Sequence, residues 1–154
     1  MSSGDSLTEL ILESFRLNGA LLAAGDALVD DLGLTSARWQ VLGAAALAAV
    51  PLPVAHIARN MGLSRQNVQR IADELQAAGL LDFAPNPHHR RAKLVLLTEQ
   101  GRAIYGAAAE RQIPWARALA DGLPDASIEA ATELLRTLRG RLEAPRTETE
   151  GRRR

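Results

Sequence analysis

Two short stretches with helical apolar spacing, joined by Met61-Gly62-Leu63 and a serine, constrain this chain more than any other feature in it. Pro53 opens the first stretch, and in the opening turn of a helix its missing N–H loses nothing. Gly62 supplies the positive φ that closes a helix. Ser64 can then cap the next one by accepting from a free N–H of its first turn. On a helix over residues 64–78, Val68, Ile71, Ala72 and Leu75 lie within about 100° of one another and form a stripe for burial. Gln66, Arg70 and Asp73 face the opposite way, with Asn67 and Gln69 on the flanks. Helix surfaces made only for water favour Glu and Lys, and neither occurs here before Glu74. Gln and Asn pair with adenine, and Arg with guanine, in the major groove. The pattern therefore points to a helix-turn-helix whose second helix presents base-reading side chains.

The flanking segments complete an order. A long helix is expected over 6–29, with Leu7, Leu10, Ile11, Leu17, Leu21 and Leu28 on one stripe. So long a stripe needs a long partner, either within the chain or on a second subunit. Thr35 recaps the chain for a helix through Trp39, Leu42 and Ala45 that ends before Pro51. Residues 80–84 and 93–97 read as strands around the turn-rich loop Pro85-Asn86-Pro87-His88-His89-Arg90-Arg91. Thr98 caps a helix over 99–119 with a kink expected at Pro114, and Asp125 opens a last one carrying Ile128, Leu134, Leu135, Leu138 and Leu142. The fold class is mainly α, a winged helix-turn-helix set between terminal helices. At 154 residues and 47% hydrophobic, the chain fits one domain with one main core. The polar tail 144–154, with Arg152, Arg153 and Arg154, is expected to be mobile.

Formal net charge is zero, but its distribution is uneven. Residues 1–55 sum to −4, residues 56–93 to +3, residues 94–142 to zero and the tail to +1. The positive charge gathers where the helix-turn-helix and the hairpin lie, as a DNA-binding element requires. Arg90, Arg91 and Lys93 would let the hairpin tip reach a minor groove or its phosphates.

The stretch Ile57-Ala58 through Gly62-Leu63-Ser64, then Val68-Gln69-Arg70, Leu75, Gly79-Leu80-Leu81, and Arg91 through Val95 to Leu97-Thr98-Glu99-Gln100-Gly101 resembles the MarR family of bacterial transcriptional regulators. Leu34-Thr35, Trp39 and Leu42 are similar to that pattern too, and the resemblance spans about residues 6–142. It implies a homodimer, with dimerisation helices at about 6–30 and 99–142 flanking a DNA-binding region at about 35–98. It also implies repression from a palindromic operator in double-stranded DNA, relieved by a small, often aromatic effector bound between the two regions. On this reading Ser64, Arg65, Gln66, Asn67, Gln69 and Arg70 meet the major groove and its phosphates. His88, His89, Arg90, Arg91 and Lys93 form the second contact. One departure stands out: the family's wing carries Asp-x-Arg, and here the acid's place is taken by His89, followed by Arg90 and Arg91. DNA affinity is therefore expected to rise modestly on acidification through His88 and His89.

Trp39, where the family's second helix borders the effector cleft, is either a core anchor or an aromatic stacking surface. Phe15 and Arg16 are further effector candidates, Arg16 as a carboxylate receptor. The alternatives for Arg16 are pairing with an acid or a place at a dimer edge. The chain has no cysteine, which removes disulfides, thiolate chemistry and thiol-based redox sensing. His56, His88 and His89 do not converge as zinc ligands do, and no metal or cofactor is expected. No nucleophile elbow, Walker loop or dinucleotide fingerprint is present, so an enzyme is not expected. The weakly polar run 42–55 falls short of the ~18 residues that span a bilayer. With the start MSSGDSL unlike a secretory signal, a cytoplasmic location is expected. The competing function class is a winged-helix module that binds protein partners without operator recognition.

Overall fold

A computed structural model describes residues 2–145; most of the tail, residues 146–154 with its three terminal arginines, lies outside the described residues. Among the described residues the order is α1 (Ser3–Val29), a 3₁₀ turn (Asp30–Leu32), α2 (Ser36–Leu47), β1 (Leu52–Pro53), α3 (Val54–Met61), α4 (Arg65–Ala77), β2 (Leu81–Ala84), β3 (Leu94–Leu97), α5 (Glu99–Ala120) and α6 (Asp125–Glu143). This is the mainly helical winged helix-turn-helix read from the sequence.

Two boundaries differ from expectation for local reasons. Helix α1 starts three residues earlier because Ser2 and Asp5 form a capping box. The Ser2 amide donates to Asp5 Oδ2 at 2.9 Å, and Asp5's amide donates to Ser2 Oγ at 3.3 Å. The Ser2 amide, and then the Ser2 hydroxyl donating to Asp5 Oδ2 at 2.9 Å, hold the Asp5 carboxyl below its usual range. Pro53 was expected in the first turn of a helix; instead it is the extended N-cap residue of α3 and half of a two-residue strand. That strand pairs antiparallel with β3, Leu52 opposite Val95 and Pro53 opposite Leu94, giving a sheet of order β1-β3-β2.

The chain divides into two compact units after Trp115, within α5. In the first, α2, α3, α4 and the sheet enclose the core. Leu42, Ile57, Ile71, Leu75 and Leu81 are its largest fully buried side chains. The stripe expected on α4 is the one observed: Val68, Ile71, Ala72 and Leu75 are at most 2% exposed. Gly62 caps α3 at φ 66°, a left-handed conformation that turns the chain toward α4. The root of the hairpin is tight. Thr98 Oγ1 donates to the Gly79 carbonyl at 2.7 Å and accepts from the Gly101 amide at 2.9 Å, while the Thr98 amide donates to the Leu80 carbonyl at 3.2 Å. Gly101 passes so close to Leu80 that a Cβ there would stand 2.0 Å from its carbonyl oxygen.

Only Val29 of α1 is buried, and Leu7, Ile11, Leu12, Phe15, Leu17, Leu21 and Leu22 are exposed. In the second unit, α6 has no buried residue, and Ile128, Leu134, Leu135 and Leu142 recur on it at roughly seven-residue spacing while exposed.

Candidate nucleic-acid interface

Ser64 caps α4 as the sequence requires: its side chain accepts from the Asn67 amide at 3.1 Å. With the apolar stripe pinned in the core, the helix has no rotational choice, and Arg65, Gln66 and Arg70 emerge on the solvent side. Asn67 and Gln69 are half-buried at the edges of that face. Packing of β2 and β3 against the same unit then brings the hairpin alongside. Arg65, Gln69 and Asp73 of α4 line one groove of about 260 Å³ with Arg91 and Lys93 of the hairpin. The helix face and the basic tip thus share one side of the molecule. His88, His89, Arg90, Arg91 and Lys93 are all exposed.

The tip is shaped by its own backbone. Asn86 accepts the His88 amide on its side chain at 3.0 Å and the His89 amide on its carbonyl at 3.3 Å; the Ala92 amide donates to the His89 carbonyl. With His89 two residues before it, Arg91 pairs with no carboxylate among the described residues. Among the described residues, Arg65, Arg90, Arg91 and Lys93 form no salt bridge. These four cations are free to meet an external anion.

Arg70 is different. Its guanidinium donates to Glu74 Oε1 and to Asn67 Oδ1, both at 2.8 Å. Glu74 also accepts twice from Arg38 of α2, at 3.1 and 3.0 Å. The hydrogen bonds from Arg38, and then the one from Arg70, hold the Glu74 carboxyl below its ordinary value against the opposing effect of desolvation. Gln69 donates to Asp73 at 2.8 Å. On α4, Asn67, Arg70 and Glu74 are therefore joined by hydrogen bonds, as are Gln69 and Asp73, before any partner arrives. The Arg70–Glu74 pair is a four-residue helical spacing that can be read in the sequence. Arg38 lies 36 residues from Glu74 in the chain, and no sequence signal pairs them.

A second concavity of about 770 Å³ opens between α1, α2 and α5 of the first unit. Trp39 of α2 and Tyr105 and Trp115 of α5 line it; no local spacing marks Tyr105 as a lining residue. Trp39 also packs against the core. Phe15 and Arg16 lie outside this lining: Phe15 is 71% exposed, and Arg16 pairs with Glu13 at 3.2 Å. His56 is exposed on α3, away from the other two histidines in the chain order, and among the described residues no three His, Asp or Glu come together. Among those residues no helix is long and apolar enough to cross a membrane.

Comparison with known proteins places this geometry among relatives. The sequence pattern described as the MarR family matches residues 32–92. An uncharacterized protein of Mycobacterium tuberculosis is 37% identical over 142 residues, covering 92% of this chain and 98% of that protein. The transcriptional activatory protein BadR of Rhodopseudomonas palustris is 30% identical over 106 residues, which are 68% of this chain and 61% of BadR. The crystal structure of CouR from Rhodococcus jostii RHA1, bound to p-coumaroyl-CoA, matches with a TM-score of 0.74 and 25% identity over 84% of this chain and 90% of CouR.

Proposed function

The chain belongs to the MarR family and is a DNA-binding transcription regulator, and from that premise we propose that it works as a homodimeric, ligand-responsive repressor of a palindromic operator. The observation that carries the DNA contacts is the shared groove, in which Arg65 and Gln69 of α4 stand beside Arg91 and Lys93 of the hairpin. Ser64, Arg65, Gln66, Asn67, Gln69 and Arg70 meet the major groove, with Arg70 and the amides reading base edges. His88, His89, Arg90, Arg91 and Lys93 hold the backbone or an adjacent minor groove.

Dimerisation falls to the helices at about 6–30 and 99–142, leaving residues 35–98 for DNA. The exposed apolar side chains of α1, and separately those of α6, are surface that a second copy would cover. Two copies double the free energy gained from one half-site, which is how a helix with few base contacts reaches operator-level selectivity. Repression requires no further contact, since a dimer seated on a promoter excludes polymerase by volume.

Ligand response follows from α2. One helix carries Trp39, Gln40 and Gly43 into the wall of the 770 Å³ cavity and also carries Arg38, which grips Glu74, which in turn grips Arg70. A ligand that displaces α2 changes how the reading side chain is held. Selection of bound duplexes from a random pool tests the proposal. A two-fold symmetric site with affinity falling steeply in salt is expected. Sequence-blind or absent binding would overturn it in favour of a protein-interaction module.

A further inference from the structure

We propose that the cavity between α1, α2 and α5 takes an uncharged, flat aromatic molecule and rejects the corresponding carboxylate. This rests on the ligand-responsive reading above and narrows it to a chemical class. Three of the chain's five aromatic side chains, Trp39, Tyr105 and Trp115, line this one space. Aromatic faces gathered in this way favour a planar π-system through stacking and edge-to-face contact. The polar side chains of the lining include the neutral amides of Asn18, Gln40 and Gln112, which can donate to and accept from an amide, a phenol or a carbonyl.

What the lining lacks decides the charge. Among the described residues it contains no Lys, Arg or His. Three arginines carried by the same three helices are engaged by acids. Arg38 is bound to Glu74, Arg111 to Asp31 and to the Leu28 carbonyl, and Arg16 to Glu13 outside the cavity. Charges of both signs touch the lining from behind: Asp26 accepts the amide of Ser36 at 2.6 Å, and Arg111, already bound to Asp31, donates to the carbonyl of Leu28 at 3.2 Å. A carboxylate entering here gives up water and finds no free cation in the lining in return.

The test is a matched pair, 2-naphthamide and 2-naphthoate, titrated into the full-length protein at neutral pH with tryptophan emission as the readout. Each is also added to the protein bound to its selected duplex. The amide is expected to give saturable quenching, with the carboxylate at least tenfold weaker. Gln40→Arg, a change at an exposed lining position, should narrow or invert that preference. Equal or tighter binding of 2-naphthoate to the wild-type protein overturns the proposal while leaving a ligand-responsive regulator standing. Saturable amide binding with no effect on the DNA complex supports the cavity's chemistry and refutes the regulatory reading. Quenching by neither compound refutes both.

Discussion

Replacing Gly101 by alanine sets two effects of opposite sign against each other at the root of the hairpin. Alanine is the better helix former, and in an open helix the exchange gains up to about 1 kcal/mol. Here the new Cβ would stand 2.0 Å from the Leu80 carbonyl oxygen and 2.9 Å from its carbon, where ordinary contact is 3.4–4 Å. Both atoms are backbone, so no side chain can swing aside. The carbonyl must retreat, and it is the acceptor for the Thr98 amide. Overpacking of this kind costs about 1–3 kcal/mol, and a weakened hydrogen bond adds about 0.5–1.5 kcal/mol. Packing wins, leaving a net loss of about 1–3 kcal/mol. For a chain of this size that lowers the thermal midpoint by roughly 2–12 °C. The control is Gly106→Ala in the same helix, where a Cβ meets nothing within 4 Å and the midpoint should rise by up to about 4 °C. Both variants are compared with wild type by circular dichroism at one protein concentration, because association shifts apparent stability. If Gly101→Ala raises the midpoint as Gly106→Ala does, the close approach of α5 to Leu80 is not a constraint and the reasoning fails.

Two further outcomes are expected. Arg70→Ala should relax base preference at one position of each half-site and cost about 1–3 kcal/mol there, whereas Arg91→Ala should weaken binding to all duplexes and lower the salt slope by about one; equal, small effects in a quantitative binding assay would remove this division of roles. Glu74 and Asp31 are held below their ordinary values of 4.5 and 3.8 by hydrogen bonds from Arg38 and Arg111. The unfolded chain therefore binds more protons in acid, and their stabilisation, complete at neutral pH, is lost as pH falls through the lowered folded values. Glu74→Gln and Asp31→Asn should accordingly lose less thermal midpoint than wild type between about pH 5 and about pH 3, and parallel acid limbs would contradict this.

Local chemistry was legible because it is written in short spacings. The Gly62 turn, the Ser64 and Thr35 caps and the burial of Val68, Ile71, Ala72 and Leu75 each depend on residues within two helical turns of one another. The same holds for Arg70 with Glu74, and for a hairpin rich in turn formers. Strand β1 was not legible. Two residues have no period, and Leu52–Pro53 becomes a strand only because β3 lies beside it. The early start of α1 was in principle readable, since Ser2 and Asp5 have capping-box spacing, although Asp stands where Glu or Gln is usual.

The amino-acid order by itself determined which face of α4 must be buried, and therefore which side chains are left to meet a partner, because an apolar stripe at helical period has one low-energy orientation against a core. Only tertiary structure decided what those side chains do before a partner arrives. Arg38 reaches Glu74 across the packing of α2 on α4, Arg91 and Lys93 come to the same groove as Arg65 and Gln69, and Tyr105 and Trp115 join Trp39 around a cavity with no cation among its described lining residues. These are contacts between segments far apart in the chain, set by how buried faces dock, and no local spacing encodes them.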